Sequence, residues 1–274
     1  MKNNRLVFSL AMVAALPAFG GSVVYSGSGA NIAGITGVVS LFQGDIGGGS
    51  VPGAAGSFSG VRREINWDAV PDAKSSPNSL NANFFNTNSP RGAVFSTPGT
   101  GFEVSAKTGN PTSTPTLFDN INPTYSSSFQ TFSPQRLFTS IGSNVMDVSF
   151  FLAGTGTAAT TSAFGSVFTD VDLASTTTIE FFSAAGSLGV FSAPTADRGL
   201  SFLGVRFDAG ERVSKVRITS GNAALSALNN DGGGVDVVAM DDFIYAEPAS
   251  VPEPSTIFLG AAGLLALGIA RKRS

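Results

Sequence analysis

TIEFFSAAGSLGVF, residues 178–191, is the stretch that decides the fold class of this 274-residue chain. Two short runs of β-branched and aromatic residues flank a turn at Ala185-Gly186, where glycine supplies the positive φ that tight hairpin connections need. In residues 213–219, VSKVRIT, Lys215 and Arg217 alternate with apolar or small positions, as in a strand with one wet face. Both stretches predict antiparallel pairing.

The remainder of the body has a similar pattern, in which short β-rich runs alternate with turns of Gly, Pro and Asn. We therefore expect residues 21–248 to form one all-β domain, a jelly-roll-like antiparallel β-sandwich. Residues 107–134 are rich in Pro, Ser, Thr and Asn, and we expect a long surface excursion anchored by Phe118 and Phe129. Strands are predicted at residues 35–42, 62–67, 93–96, 101–105, 136–141, 145–152, 163–171, 178–182, 188–191, 200–207, 212–219 and 235–245.

Histidine and cysteine are both absent from the sequence. Without cysteine, disulfides cannot stabilise the fold, so its stability must come from the core. Without histidine, the Ser-His-Asp and Cys-His arrangements, histidine metal sites and the commonest general base are excluded. Catalysis would have to use carboxylates, Tyr or Lys, and a carboxylate-pair glycosidase is the enzyme class that stays open.

The charge of the body differs from that of the whole chain, which has 16 Lys+Arg and 19 Asp+Glu. Glu253 and five cations belong to the terminal segments. Those cations are Lys2, Arg5, Arg271, Lys272 and Arg273. The body keeps 11 cations against 18 acids, a net charge of −7. Nucleic acid is not expected as a partner, because phosphate binding needs a basic surface, whereas metal cations suit an acidic one.

The N-terminal segment has the three parts of a secretory signal peptide. Lys2 and Arg5 form a positive region, residues 6–16 an apolar region, and Ala18-Phe19-Gly20 a cleavage site of small residues. Residues 1–20 are therefore predicted to be a signal peptide.

The C-terminal segment, residues 249–274, also has three parts. Residues 251–254, Val-Pro-Glu-Pro, stay extended because proline fixes φ and lacks an amide donor. The uncharged run 256–270 would span about 22 Å as a helix, short of the roughly 30 Å hydrocarbon core, so it is a marginal transmembrane helix. The basic cluster 271–273 stays on the cytoplasmic side, which places the body across the membrane.

This order of parts closely resembles the PEP-CTERM sorting signal, with Pro252, Glu253 and Pro254 as the recognition motif and Arg271, Lys272 and Arg273 as the basic stop. The resemblance implies that an exosortase, a membrane-embedded cysteine transpeptidase, cuts the chain near the motif. It also implies export across the inner membrane to the cell envelope, the outer surface or the medium, and a setting of exopolysaccharide and biofilm production. The membrane would hold the chain only before processing.

The body has a resemblance of its own. Residues 61–98 and 136–248, with RREINWD and MDDFIY among them, resemble a β-rich body that recurs among PEP-CTERM proteins. In outline the last strand is also similar to those of jelly-roll carbohydrate-binding modules. Neither resemblance implies a site or an activity.

Four acidic residues at predicted strand ends and within a strand are candidate calcium ligands: Asp170, Asp172, Asp241 and Asp242. Alternation along a strand should turn either Asp241 or Asp242 towards the apolar side, where a carboxylate needs donors, an Arg or a metal. Calcium accepts six to eight oxygen ligands in irregular geometry. The alternative is that these carboxylates cap turns or pair with arginines.

The second candidate site is a glycan site at Asn66, Trp67 and Asp68, since sugar sites often combine an aromatic ring with amide and carboxylate groups. The alternative is a core tryptophan whose indole N–H has one partner. The sequence thus predicts an exported, non-enzymatic surface or matrix protein that binds exopolysaccharide with calcium. Its rivals are a carboxylate-dependent enzyme acting on envelope polysaccharide and a purely structural surface protein.

Processing at both ends can be checked on the mature protein. We expect mass spectrometry to find an N-terminus near Gly21 and a chain without the apolar run, because both terminal segments are read as sorting signals. An intact tail ending at Ser274 at the final location would contradict cutting by a transpeptidase.

Overall fold

The computed structural model describes residues 21–47 and 62–250. The predicted signal peptide, the recognition motif, the transmembrane run 256–270 and the basic cluster all lie outside these ranges. Within them, none of the helices combines the length and the apolar character that crossing a membrane requires.

The described residues contain fourteen strands and two α-helices. The strands are β1 Ser22–Gly29, β2 Arg62–Ile65, β3 Ala93–Ser96, β4 Gly101–Val104, β5 Phe138–Ile141, β6 Val145–Phe150, β7 Ala159–Thr160, β8 Ala163–Val171, β9 Thr178–Ser183, β10 Gly186–Ser192, β11 Ala196–Phe207, β12 Lys215–Thr219, β13 Ala239–Ala246 and β14 Ala249–Ser250. The helices are α1 Ile32–Asp45 and α2 Phe84–Thr87. Single 3₁₀ turns occur at Asp72–Lys74 and Tyr125–Ser127.

The strands form two main sheets in which every pairing is antiparallel. The first has the order β1-β11-β8-β13-β5-β4, with β2 also paired to β13, and the second has the order β10-β9-β12-β6-β3. From β5 to β13 the chain passes repeatedly between the two sheets, and only β9 and β10 are consecutive neighbours in one sheet. The short strands β7 and β14 pair with each other.

An aromatic core joins the two sheets. Trp67 stacks on Phe138 of β5, with ring centroids 3.9 Å apart. Phe150 of β6 contacts Phe164 of β8 across the layers, at 6.2 Å between centroids. Apolar side chains of both sheets belong to this one cluster, as expected for a fold without disulfides. The prediction of an antiparallel, mostly β body is confirmed.

The stretch that opened the sequence analysis forms the β9–β10 hairpin, with a register shift between Ser187 and Gly189. In β12, Val216 and Ile218 are buried in the core while Arg217 between them is exposed, which confirms the predicted alternation. Most other predicted strands lie within a few residues of the observed ones. Helix α1 is the main exception.

The prediction of a strand at residues 35–42 is wrong, because these residues lie in α1. Asn31 caps the helix by accepting a hydrogen bond from the Ala33 N–H at 3.1 Å. Ile35, Val39 and Phe42 are its buried residues, and their spacing of four and three is helical rather than alternating. The β-branched residues of this segment favour a strand, but the spacing of its buried residues is that of a helix.

Helix α1 covers the outer face of the first sheet, opposite the aromatic core. Its Phe42 packs where Gly165 of β8 and Gly204 of β11 lie side by side, and a Cβ at either glycine would come within about 3.0 Å of the ring. Strand β1, which the sequence did not predict, pairs with β11 along its whole length. Its Ser- and Gly-rich sequence lacks buried apolar positions, which explains why no strand was expected there.

The excursion 107–134 packs on the first sheet beside α1. Phe118, Tyr125 and Phe129 are buried against Leu137 and Val237. The expected anchoring by Phe118 and Phe129 is confirmed, and Tyr125 adds a third anchor. Its hydroxyl group accepts from the Ser226 N–H and lies within hydrogen-bond distance of two loop carbonyls.

The Trp67–Phe138 stack predicts how the core responds to truncation. Phe138→Ala should lower the free energy of unfolding by about 3–5 kcal/mol, because it leaves a cavity between the sheets. Urea unfolding monitored by circular dichroism measures this loss. Leu228→Ala is the matched control, since Leu228 is 93 % exposed and its truncation should change stability by less than about 0.5 kcal/mol. A loss below about 1 kcal/mol for Phe138→Ala would contradict the packing described.

Candidate metal centre

An irregularity in the pairing of β8 with β11 brings three carboxylates together. Ala196 pairs with Val171 and Leu200 with Thr169, so residues 197–199 of β11 stand opposite Asp170 alone. Asp170 has a left-handed backbone, with φ 68°, a conformation that Asp tolerates better than most residues. Its Oδ1 accepts a hydrogen bond from the Arg198 N–H at 2.7 Å. The bulge thereby holds Asp197 next to the end of β8.

The three carboxylates are those of Asp170, Asp172 and Asp197, each with an oxygen atom within 4.8 Å of the other two. Asp170 is fully buried, Asp172 is half-buried and Asp197 is exposed. Asp170 Oδ2 and Asp172 Oδ1 are buried atoms without a hydrogen-bond partner among the described residues. Buried carboxylate oxygens without donors are costly, so this geometry leaves two strong acceptors unsatisfied.

Burial and neighbouring charges both disfavour ionisation of these carboxylates. Burial raises the pKa of Asp170 to about 8, and the charges of Asp231 and Asp172 add to the effect. Burial also raises the pKa of Asp172 to about 6, together with the charges of Asp231 and Asp197. Either protons or a cation must therefore offset the negative charge that these side chains carry in the folded state.

The cluster opens into a surface cleft of about 380 Å³. Asp172, Asp197 and Asp231 line it, together with Ser128, Asn230 and Arg198, whose Nε lies 3.9 Å from Asp197 Oδ1. A further acid shapes the loop after β8. The Asp236 carboxylate accepts from the backbone N–H groups of Asp172 and Leu173, at 3.1 and 3.4 Å. Asp236 thus fixes the backbone that presents Asp172 to the cleft.

This oxygen-only cluster suits calcium. Ligand oxygens lie about 2.3–2.6 Å from Ca²⁺, so two oxygens on one ion can be at most about 5 Å apart, and the three carboxylates meet that limit. The open side of the cleft leaves room for water or ligand oxygens, which calcium's higher coordination number requires.

The structure separates the four predicted calcium ligands into two groups. Asp170 and Asp172 lie in the cluster, whereas Asp241 and Asp242 lie on β13 and contact the excursion. The pairing of β13 with β8 shifts register between Met240 and Phe243, which marks a β-bulge at these two residues. The expectation that they point to opposite faces is therefore wrong, because the bulge interrupts the alternation.

Asp241 and Asp242 are satisfied by protein donors. The Phe132 N–H donates to Asp241 Oδ2 at 2.6 Å, and Ser133 Oγ lies 3.0 Å from Asp241 Oδ1 and 2.7 Å from Asp242 Oδ1. Burial raises the pKa of Asp241 well above its usual range, and the neighbouring Asp242 charge adds to this. The pair is best described as a protonated Asp241 that is hydrogen-bonded to Asp242. With these donors, neither carboxylate requires a metal ion.

The predicted glycan residues lie beside this pair. Trp67 is 1 % exposed, and its indole N–H donates to the Asp241 carbonyl oxygen at 2.9 Å. This matches the alternative of a core tryptophan with one partner, so its ring face is not an open platform for sugar. Burial raises the pKa of Asp68 to about 6, and the Asp242 charge adds to the effect. Asn66 lines a separate cavity described below.

Asp197 is the cluster residue that sequence reasoning missed. The predicted strand begins at Leu200, so Asp197 lies outside it. Only the bulge opposite Asp170 brings Asp197 to the other carboxylates, and no local pattern in the sequence indicates a three-residue bulge.

Comparison with known protein families matches residues 250–273 to the PEP-CTERM protein-sorting motif. The chain carries a PEP-CTERM sorting motif. This confirms the resemblance read from residues 251–273 and supports an exported surface protein that an exosortase processes. Comparisons with curated proteins and with solved structures found no match. For this PEP-CTERM protein, the function of the body therefore has to be argued from its geometry.

The buried Asp242 gives a test by pH. Burial raises its pKa to about 6, so its stabilising contribution is complete below about pH 4 and is lost as the pH rises through 6. The free energy of unfolding of the Asp242→Asn variant should therefore fall less between pH 4 and pH 7 than that of the unmodified chain. Thermal unfolding at each pH measures this.

Asp208→Asn is the matched control, because it removes the same charge at an exposed position beside Arg206. It should leave the pH profile unchanged. Identical pH profiles for Asp242→Asn and the unmodified chain would contradict the burial of an ionisable Asp242.

Proposed function

We propose that this protein is an exported, non-enzymatic surface or matrix protein whose jelly-roll domain binds calcium at Asp170, Asp172 and Asp197 and, with it, exopolysaccharide. The unsatisfied, fully buried Asp170 Oδ2 is the observation that carries the calcium assignment. A carboxylate oxygen in that position needs a positive partner, and no described Lys or Arg forms a salt bridge with Asp170.

Strand order supports the jelly-roll assignment. The first sheet contains β11-β8-β13-β5 as consecutive neighbours, and the second contains β10-β9-β12-β6. Numbering these eight strands along the chain gives the order 6-3-8-1 in one sheet and 5-4-7-2 in the other. This order supports a double Greek-key jelly roll. Strands β1, β2, β3 and β4 extend the two sheets.

A binding role is favoured over catalysis by the environment of the acids. Asp241 and Asp242 are adjacent buried carboxylates, but Ser133 and the Phe132 amide bond to them, so substrate has no access. The open cluster at Asp172 and Asp197 faces a cleft, where a cation held by protein on one side can coordinate sugar hydroxyl groups on the other. Exopolysaccharide is the proposed partner because the sorting motif supports delivery to the cell envelope.

Calcium binding is tested by thermal unfolding of the full-length chain in Ca²⁺, in Mg²⁺ and in chelator. At about 100 times the Kd, a ligand stabilises the fold by about 2.7 kcal/mol, which raises Tm by roughly 5–10 °C for a domain of this size. We expect that rise with Ca²⁺, its reversal by chelator and a smaller effect of Mg²⁺.

Asp197→Asn should abolish the rise, because it removes one of the three carboxylate ligands at an exposed position. Asp208→Asn, with the same charge change outside the cleft, should keep it. A Tm insensitive to Ca²⁺ would favour the purely structural alternative. Release of sugar from exopolysaccharide that disappears in Asp172→Asn would instead support the carboxylate-dependent enzyme.

A further inference from the structure

A second cavity, of about 250 Å³, lies beside the core and contains a buried arginine. Arg91, in the loop between α2 and β3, is 4 % exposed. Trp67, Phe85, Asn66 and Asn88 also line the cavity. Its walls are thus partly aromatic and partly amide, with one guanidinium among them.

Only neutral groups accept hydrogen bonds from Arg91. Its Nε donates to the Glu64 carbonyl oxygen at 3.1 Å, and its Nη1 donates to the Ser89 carbonyl oxygen at 3.2 Å and to the Ser89 hydroxyl oxygen. Its Nη2 has no hydrogen-bond partner among residues 21–47 and 62–250. The guanidinium is therefore held in a fixed direction with one donor group unused.

Arg91 differs from the other buried arginines, each of which pairs with a carboxylate. Arg62 pairs with Glu64, Arg63 with Glu247 and Arg136 with Asp72. Arg91 forms no salt bridge with any described acid. A buried charge without a counter-charge is costly, and the fold retains one here.

The sequence leaves almost no candidate for a missing counter-charge. Of the 19 Asp and Glu residues, 18 lie in the described ranges, and residues 1–20 and 48–61 contain none. The exception is Glu253, in the sorting motif. A carboxylate that neutralises Arg91 must therefore be that of Glu253, the terminal carboxylate of the chain, or one that belongs to another molecule.

We propose that this cavity binds the carboxylate of an acidic sugar, a uronate, with Arg91 as the anion-binding residue. The planar guanidinium suits a carboxylate because it donates parallel hydrogen bonds. The side-chain amides of Asn66 and Asn88 can bond to sugar hydroxyl groups, and Phe85, whose ring centroid lies 5.5 Å from Arg91 Cζ, supplies apolar contact. The cavity is smaller than drug-sized sites, which limits the ligand to about one sugar unit. The choice of a sugar rests on the proposed binding of exopolysaccharide.

Because the body has a net negative charge, it attracts an acidic ligand only when the ligand is close to Arg91. At −7 the surface repels an acidic polymer at a distance, but salt screens this beyond about 8 Å at physiological ionic strength. Burial lowers the pKa of Arg91, so a bound anion would offset part of the cost of keeping it charged.

Trp67, the sole tryptophan, reports on the cavity it lines. The experiment titrates the full-length chain, in chelator, with D-galacturonate and follows tryptophan fluorescence. D-galactose lacks the carboxylate and acetate lacks the ring, so both serve as comparison ligands. We expect saturable binding of galacturonate that is at least tenfold tighter than that of either.

Arg91→Gln should weaken binding of galacturonate by tenfold or more, whereas Arg212→Gln, the same charge change at an exposed position, should leave it unchanged. If Arg91→Gln does not fold, the methyl ester of galacturonate on the unmodified chain replaces it, and the proposal predicts the same tenfold loss.

Equal affinity for galacturonate and galactose, or for the acid and its methyl ester, would overturn the carboxylate site. Equal affinity for acetate would overturn the sugar assignment. Binding of galacturonate that appears only in Glu253→Gln would assign the cavity to the chain's own motif and overturn an external ligand. The galacturonate titration is done in chelator and so does not depend on Ca²⁺. If galacturonate does not bind although Ca²⁺ raises Tm in the separate unfolding experiment, this inference fails and the proposed calcium site stands.

Discussion

The indole of Trp67 is the contact on which the rest of this structure depends. One face stacks on Phe138 of β5, the edges meet Phe85 and Phe243, and the N–H donates to the Asp241 carbonyl oxygen. The side chain therefore joins the inter-sheet core, the irregular part of β13 and the wall of the Arg91 cavity. Its left-handed backbone, with φ 65°, is a strained conformation that such dense contacts can maintain.

Two interruptions of regular pairing place acidic side chains where a regular sheet would not. At β13 the bulge turns Asp241 and Asp242 towards Ser133 and the Phe132 amide, which satisfy them. At β11 the bulge of residues 197–199 places a third carboxylate beside Asp170, and nothing within residues 21–47 and 62–250 donates a hydrogen bond to Asp170 Oδ2. The same kind of irregularity thus produces a closed polar network in one place and an open cluster of carboxylates in the other.

The sequence pattern predicted the structure correctly where the alternation of side chains and the residues of a turn determine it locally. The hairpin at residues 178–191 and the alternation around Arg217 follow from nearest neighbours, so they could be read directly. Helix α1 could have been found from the spacing of Ile35, Val39 and Phe42, but β-branched composition suggested a strand instead.

The candidate site was only half visible in the sequence, for a different reason. Asp170 and Asp172 stand two apart at a strand end, which drew attention to them. Asp197 joins them through a bulge formed by pairing between distant segments, and the lack of a counter-charge at Arg91 emerges only when all buried pairs are known. Such properties belong to tertiary structure, which a local pattern does not encode.

The small β7–β14 ribbon has a mechanical consequence for sorting. Ser250 pairs with Ala159, so the folded body ends directly before the motif, and residues 251–255 alone separate it from the apolar run. Five residues reach at most about 18 Å, close to the roughly 17 Å radius of gyration of a domain this size. The exosortase that the sorting motif implies must therefore act within this distance of the β7–β14 ribbon.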